Sequence, residues 1–333
     1  MSSGKVSANG TGKYVYGVMR YPEEEGPQPY FIERAALTQK SEQPLASIGN
    51  TGIGNRPVSA IPYRGIALVA SDIHLHEARS LTNAINKKSA DAGSIGLEYI
   101  HSHQRVIDRL RGNNYTVIPV RFGSVLSPNN ARKLLQEGHG YFLEKLQMLV
   151  GKDEYGVTIV AQAGTEQKLD AIIMRYPEVS RLADRMQAEL SSGQTGAHHF
   201  SSLKFEDLKR NMRFKIFDEL AKDANQLLSA AAYASVPQKP TANNAIFSRA
   251  YLVDRAKLQE FNKTLNSLNE RLLSLGVKIF KTGPWAPYSF SIDSKFSRAG
   301  TSTRGGDFQH ASVQRQKGRA RLSDSTLGAA SQA

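Results

Sequence analysis

The sequence predicts an α+β protein made of two α/β domains, the second compatible with a ferredoxin-like sandwich carrying extra helix. Three observations carry this. Short apolar runs rich in β-branched and aromatic residues recur at Tyr14–Arg20, Tyr115–Phe122, Tyr155–Gln162 and Ala245–Val253. Between them, apolar residues return every three or four positions, as on one face of a helix. Beyond residue 152 the order runs strand, helices, strand, helix, strand, a split βαβ arrangement. A chain of 333 residues is long enough for two domains.

Taken in order, residues 1–13 read as a flexible leader. Tyr14–Arg20 opens the first domain as a strand, and Tyr21-Pro22 ends it. A second strand is predicted around Tyr30–Ala36. Gly49, Gly52 and Gly54 lie in a polar run over 39–57 with no Gly-Lys-Ser/Thr after it, so a surface loop is expected rather than a phosphate cradle. Val58–Ile61 and Ile66–Ile73 read as strands joined by a turn at Pro62-Tyr63-Arg64-Gly65. Over Ser94–Arg111, Tyr99, His103, Val106, Ile107 and Leu110 share a helix face, and Gly112-Asn113-Asn114 stops it. Tyr115–Phe122 is the central strand, ending in Arg121 and Phe122. Ser127 then caps a helix with Pro128 in its first turn. Gly138 and Gly140 are expected to break that helix in two.

The first domain is expected over 14–152 and the second over 153–282. In the second, helices are predicted from Thr165 to Tyr176-Pro177, over Val179–Leu190, and over a long stretch from about Ser202 to Tyr233, ended by Pro237 and Pro240. Ala245–Val253 is a strand. Asp254 caps a helix in which Leu258, Phe261, Leu265, Leu268, Leu272 and Leu275 alternate spacings of three and four. Gly276 stops it, and Val277–Phe280 is the last strand. Residues 283–292, beginning GPWAPYSF, form a closing segment, and 293–333 read as a disordered basic tail.

Composition narrows the function. The net charge is +13 with a pI near 9.7, but no run of five Lys/Arg occurs, so a generally basic solvated surface is preferred over nucleic-acid binding. There is no cysteine, which excludes disulfides, thiolate metal sites and a cysteine nucleophile, and fits a cytoplasmic protein. No run of 18 apolar residues predicts a membrane span, and the leader lacks the apolar core of a secretory signal. The pairs His74/His76 and His101/His103 are spaced i, i+2 without a matching ligand at i+4, so no metal site is expected. No Walker, GxSxG or HExxH pattern occurs, so neither a cofactor nor an active site is expected.

Arg121 is the charge with a physical demand attached. At the end of an apolar strand it is expected to be internal and paired, with Asp108, Glu98 or helix carbonyls as candidates. His103 and Phe122 are read as structural neighbours. Trp285, stiffened by Pro284 and Pro287, is expected to pack across the two domains.

Four stretches then resemble the gas vesicle protein GvpF/GvpL family: Tyr14-Val15-Tyr16-Gly17-Val18, His103 with Val106, VIPVRFG at Val117–Gly123, and GPWAPYSF at Gly283–Phe290. The turn at Gly151–Val157 agrees as well. The resemblance spans about Tyr14 to Phe290. It implies a non-enzymatic accessory protein for assembling the vesicle shell in the cytoplasm, with the hydrophobic shell protein and other accessory proteins as partners. It also implies two α/β domains, the second a modified ferredoxin-like fold, with the C-terminal segment packing on both. The expected contact surfaces are the long helix, at Phe205 and Met212, and the strand bearing Phe247. Two alternatives stand beside this reading. One is nucleic-acid binding through Arg315, Lys317, Arg319 and Arg321; the other is a small-ligand or enzymatic site facing Arg121.

Overall fold

The computed structural model describes residues 10–21, 42–49, 51–74, 76–78, 93–240 and 242–291. The strand expected at Tyr30–Ala36, most of the leader and the basic tail lie outside them. The first sheet has six strands: β1 (Thr11–Arg20), β2 (Gln43–Pro44), β3 (Ser59–Tyr63), β4 (Ile66–His74), β5 (Val117–Pro119) and β6 (Val125–Leu126). Their order is β2-β3-β4-β1-β5, with β6 also on β1, and every pairing is antiparallel. β1 starts three residues earlier than expected, so Thr11–Lys13 belong to the sheet rather than to a leader. Lys13 reaches Glu42 at 2.5 Å and Asp72 at 2.8 Å.

β1 is buried from Gly12 to Met19, which is why it reads as one apolar run rather than an alternation. On one face Tyr14, Tyr16 and Met19 pack with Val106, Ile107 and Leu110 of α1 (Gly93–Gly112). On the other, Val15, Val18, Leu68 and Ile118 pack with Leu135, Phe142, Leu146 and Leu149 of α2 (Pro128–Leu149). The β3–β4 turn places Arg64 at φ 43° and Gly65 at φ 76°, the left-handed pair a tight hairpin needs. Ser127 caps α2 as its chemistry predicts, accepting from the Asn130 N–H. The expected break at Gly138 does not occur. α2 runs on without interruption, and the Phe142 ring takes the space that a side chain at Gly138 would need, 2.5 Å from where a Cβ would stand.

The polar run over 39–57 is also more than a surface loop. It supplies β2, a 3-10 turn at Ile53–Asn55, and the buried Ile48 and Ile53. A Cβ on Gly52 would lie 2.4 Å from Ser71 Oγ and 2.6 Å from the Tyr16 hydroxyl.

The second sheet comprises β7 (Lys152–Ala161), β8 (Ala234–Pro237), β9 (Ala245–Asp254) and β10 (Val277–Trp285), in the antiparallel order β10-β7-β9-β8. Between β7 and β8 come α3 (Thr165–Ile173), α4 (Pro177–Ser191) and α5 (Thr195–Ala230); α6 (Leu258–Leu273) joins β9 to β10. β8 has no counterpart among the expected strands: four residues ending in Pro237 are too short a signal, and β9 supplies the edge on which they order. Asp254 caps a 3-10 turn at Arg255–Lys257 that leads into α6. One face of this sheet buries Tyr155, Val157, Ile159, Phe247 and Tyr251 against Leu228 of α5 and Phe261, Leu265, Leu268 and Leu272 of α6. From its other face, Val236, Ala250 and Leu252 continue the apolar cluster around α2, with Phe290.

Candidate functional site

Beside VIPVRFG, Tyr14, Tyr16, Ser71 and His103 form a buried polar network. Tyr14 accepts from the Gly123 N–H at 3.2 Å, and its hydroxyl lies 3.0 Å from His103 Nδ1, a hydrogen bond that joins β1 to α1. Tyr16 donates to Ser71 Oγ at 3.1 Å and accepts from the Ile53 N–H at 2.9 Å. Phe122 stands edge-on to both Tyr14 and His103. Burial pushes the His103 imidazole down to about 4, with the Val120 backbone pulling the other way. The ring is therefore neutral at pH 7, a hydrogen-bond fastener between α1 and β1.

Arg121 does not belong to this interior. Its residue is exposed, because the strand ends at Pro119 and the chain turns outward before Gly123 at φ 85°. The expectation that the guanidinium lies in the interior is thus overturned. The wide-open surface along the outer face of α1, between Leu97 and Asn113, does not include Arg121. A second hollow of about 410 Å³, near Glu42, Arg56, Asp72 and His74, does not either.

The closing segment ties the two halves together through residues other than its tryptophan. Tyr288 donates to Gln104 of α1 at 3.1 Å. Ser289 donates to Glu154 of β7 through its N–H at 2.8 Å and its hydroxyl at 2.6 Å. Ala286 and Phe290 are fully buried. Beside them, Asp153 accepts from Arg111 at 2.6 Å and from Arg255 at 2.9 and 3.1 Å. Trp285 itself remains 48% exposed.

The expected contact residues fall differently again. Phe247 is buried beneath the helices, and β9 is an inner strand, so it offers neither a side chain nor an edge to a partner. Phe205 and Met212 are half-buried, packed on Leu169, Ile173 and Val179 of α3 and α4. Asp170 of α3 fastens that side of α5 through two bonds to Arg213 (2.7 and 2.6 Å) and an ion pair with Lys209. The sheet edges are blunted. Asn269 takes the Ile279 N–H at 3.0 Å, Lys281 reaches Asn262, and Pro284 and Pro237 remove donors.

Among the described residues, the β10 half of the sheet face that turns away from the helices stays open. Val157, Ile159 and Ile279 point toward the helices, so Thr158, Phe280 and Ser248, which stand opposite one another, point away. A register shift after Thr282 brings Trp285 opposite Glu154 on this same face. Phe280 is 46% exposed, with Lys278 over its ring. Sequence reasoning singles out Trp285 but misses Phe280 as a surface residue; the alternation of β10 is its only signal.

Comparison with known proteins places these features. The profile of a family described as gas vesicle synthesis protein GvpL/GvpF matches residues 12–291. Gas vesicle protein L of Streptomyces sp. (strain CB03234) is 27% identical over 182 residues, 52% of this chain; the match spans 62% of that protein, less than two thirds of its length. Gas vesicle protein L1 of Halobacterium salinarum is 22% identical, over 74% of this chain and 85% of that protein. Among solved structures, gas vesicle protein GvpF from Anabaena sp. PCC7120 superposes with a TM-score of 0.60 at 18% identity, covering 86% of this chain and all of that one. GvpF from Microcystis aeruginosa gives 0.52, covering 84% and 98%.

Proposed function

Because the chain belongs to the gas vesicle synthesis protein GvpL/GvpF family, we propose that it is an accessory factor for assembling the gas vesicle shell, acting in the cytoplasm and at the vesicle. Its partners in this reading are the hydrophobic shell protein and other accessory proteins of the same system. It works by binding rather than by catalysis. We read the second half as a modified ferredoxin-like domain from about residue 153, its four strands standing in the order fourth, first, third, second. The first half, 14–152, is its own domain, and 283–291 is the clasp between them.

The observation that carries the binding reading is the open face bearing Phe280 and Trp285. Among the described residues, the same sheet face is covered on its β8–β9 side by the cluster around α2 and left uncovered on its β10 side. Two large aromatics half-exposed on a flat sheet face make a docking site for the apolar side of a shell subunit, which must be covered before it is added. Blunted edges argue against strand addition to this sheet, so the contact is made through side chains.

The test is capture of purified shell protein by the immobilised chain. The wild-type chain should retain it, and Phe280→Ala with Trp285→Ala should lose tenfold or more of the signal, about 1.4 kcal/mol, with an unchanged circular dichroism spectrum. Equal capture by the folded double variant would reject the face. No capture by the wild-type chain, with salt-sensitive retention on DNA instead, would favour the nucleic-acid reading.

A further inference from the structure

α5 has a second row of residues, with apolar side chains at both ends and a charged pair between them, which joins the row packed on α3 and α4 only at its inner end, Phe217. Phe200, Leu203, Asp207, Arg210, Phe214 and Phe217 follow one another at spacings of three, four, three, four and three. Phe200, Leu203 and Phe214 are 71%, 57% and 68% exposed, and Phe217 is half-buried at the inner end. Asp207 and Arg210 form an exposed ion pair within the row. The spacing alternates three and four, so the row drifts only slowly around the helix, as the seam of a two-helix coil does. The opposite side of α5 is already occupied by Phe205, Leu208, Met212 and Ile216 against α3 and α4. Phe217 also packs on that cluster and on the core of the second sheet, so Phe200, Leu203 and Phe214 are the apolar members of the row left uncovered among the described residues.

Its pattern indicates what covers it. We propose that the row is a homodimer seam, occupied by α5 of a second copy running antiparallel. In that arrangement Leu203 of one copy meets Phe214 of the other, and Phe200 meets Phe217. In the centre, Asp207 of each copy meets Arg210 of the other. Every layer is complementary, and the two-fold axis repeats each contact. A parallel pair would stack Asp207 on Asp207 and Arg210 on Arg210, placing like charges together. The two ionic layers cost stability relative to apolar ones, but they specify orientation and register. The seam is short, about 26 Å at 1.5 Å per residue, so it forms a reversible dimer rather than a permanent one. This proposal does not depend on the gas vesicle reading or on the Phe280–Trp285 face.

Sedimentation equilibrium of the full chain tests it, from micromolar to near-millimolar concentration. The wild-type chain should show a reversible monomer–dimer equilibrium. Asp207→Arg alone and Arg210→Asp alone should each weaken it about tenfold or more, since each fills the central layers with one sign of charge. An equimolar mixture of the two variants should recover association, because one copy then brings two cations and the other two anions. A monomeric wild-type chain would overturn the proposal and assign the row to a different partner. So would a mixture that associates no better than its components, with helical content intact.

Discussion

Tyr14, Tyr16 and His103 occupy the most tightly built part of the molecule. His103 is 2% exposed and its pKa falls to about 4, against about 6.5 in an unfolded chain. A depressed histidine pKa means that the folded state disfavours the proton. Stability is fully present above about pH 6.5 and is lost as pH falls toward 4, by about 3 kcal/mol at most. Urea denaturation at pH 7 and pH 5 should show this loss, and His103→Gln should flatten it while lowering stability at both pH values. Gly52 is the matching steric prediction. Its Cβ position is taken by Ser71, Tyr16 and the Arg56 carbonyl, the last at 2.8 Å. Gly52→Ala should destabilise by about 1–3 kcal/mol through overpacking, read as a lower denaturation midpoint. The chain showed the glycines and the histidine, but a glycine in a polar run carries no local mark of the hydroxyls folded against it.

Among the elements, α5 spans 36 residues, about 54 Å at 1.5 Å per residue, and only its C-terminal part reaches the sheet core. Its N-terminal part rests on α3 and α4 through one satellite cluster and the Asp170 anchor. Burial pushes the Asp170 carboxyl up, but bonds and charges from Arg213 and Lys209 prevail and hold it below the usual carboxylate range. Asp170→Asn should speed limited proteolysis within 193–216 without changing that of β7 or β9, because the anchor is local. An equal rise of cleavage throughout would show the arm to be cooperative with the sheet.

For the molecule as a whole, the joint between the halves combines apolar packing with the buried carboxylates Asp153 and Glu154. Asp153 and Glu154 are neighbours on β7 with opposite titrations. Burial raises Asp153, yet Arg255 and Arg111 outweigh it and leave the carboxyl low; burial raises Glu154 further than the Ser289 bonds lower it. For Glu154, stability is fully present below about pH 4.3, its unfolded value, and is lost as pH rises through the raised folded value. For Asp153 it is present above about pH 3.9 and lost on further acidification. Glu154→Gln keeps an acceptor for the Ser289 N–H and removes the buried charge. It should be at least as stable as wild type at pH 7, and its stability should lose the decline that Glu154 contributes above pH 4. Asp153→Asn should show the reverse, a lower midpoint at pH 7 that converges on wild type in acid.

Short-range chemistry was legible in the chain. Ser127 caps α2, Arg64-Gly65 turns β3 into β4, and Gly276 at φ 79° ends the last helix, because each signal needs only a few neighbouring residues. The alternating leucines of α6 and the strand at Ala245–Asp254 were readable for the same reason. The assignment of faces was not. Phe247 and Phe280 are both phenylalanines on strands, yet one is 9% exposed and the other 46%. Arg121 follows an apolar run and still reaches solvent. α5 carries two apolar rows, and only the docking of α3 and α4 decides which is core. Burial depends on what other segments bring to a side chain across tens or hundreds of residues, and no local pattern encodes which of two apolar faces will be met.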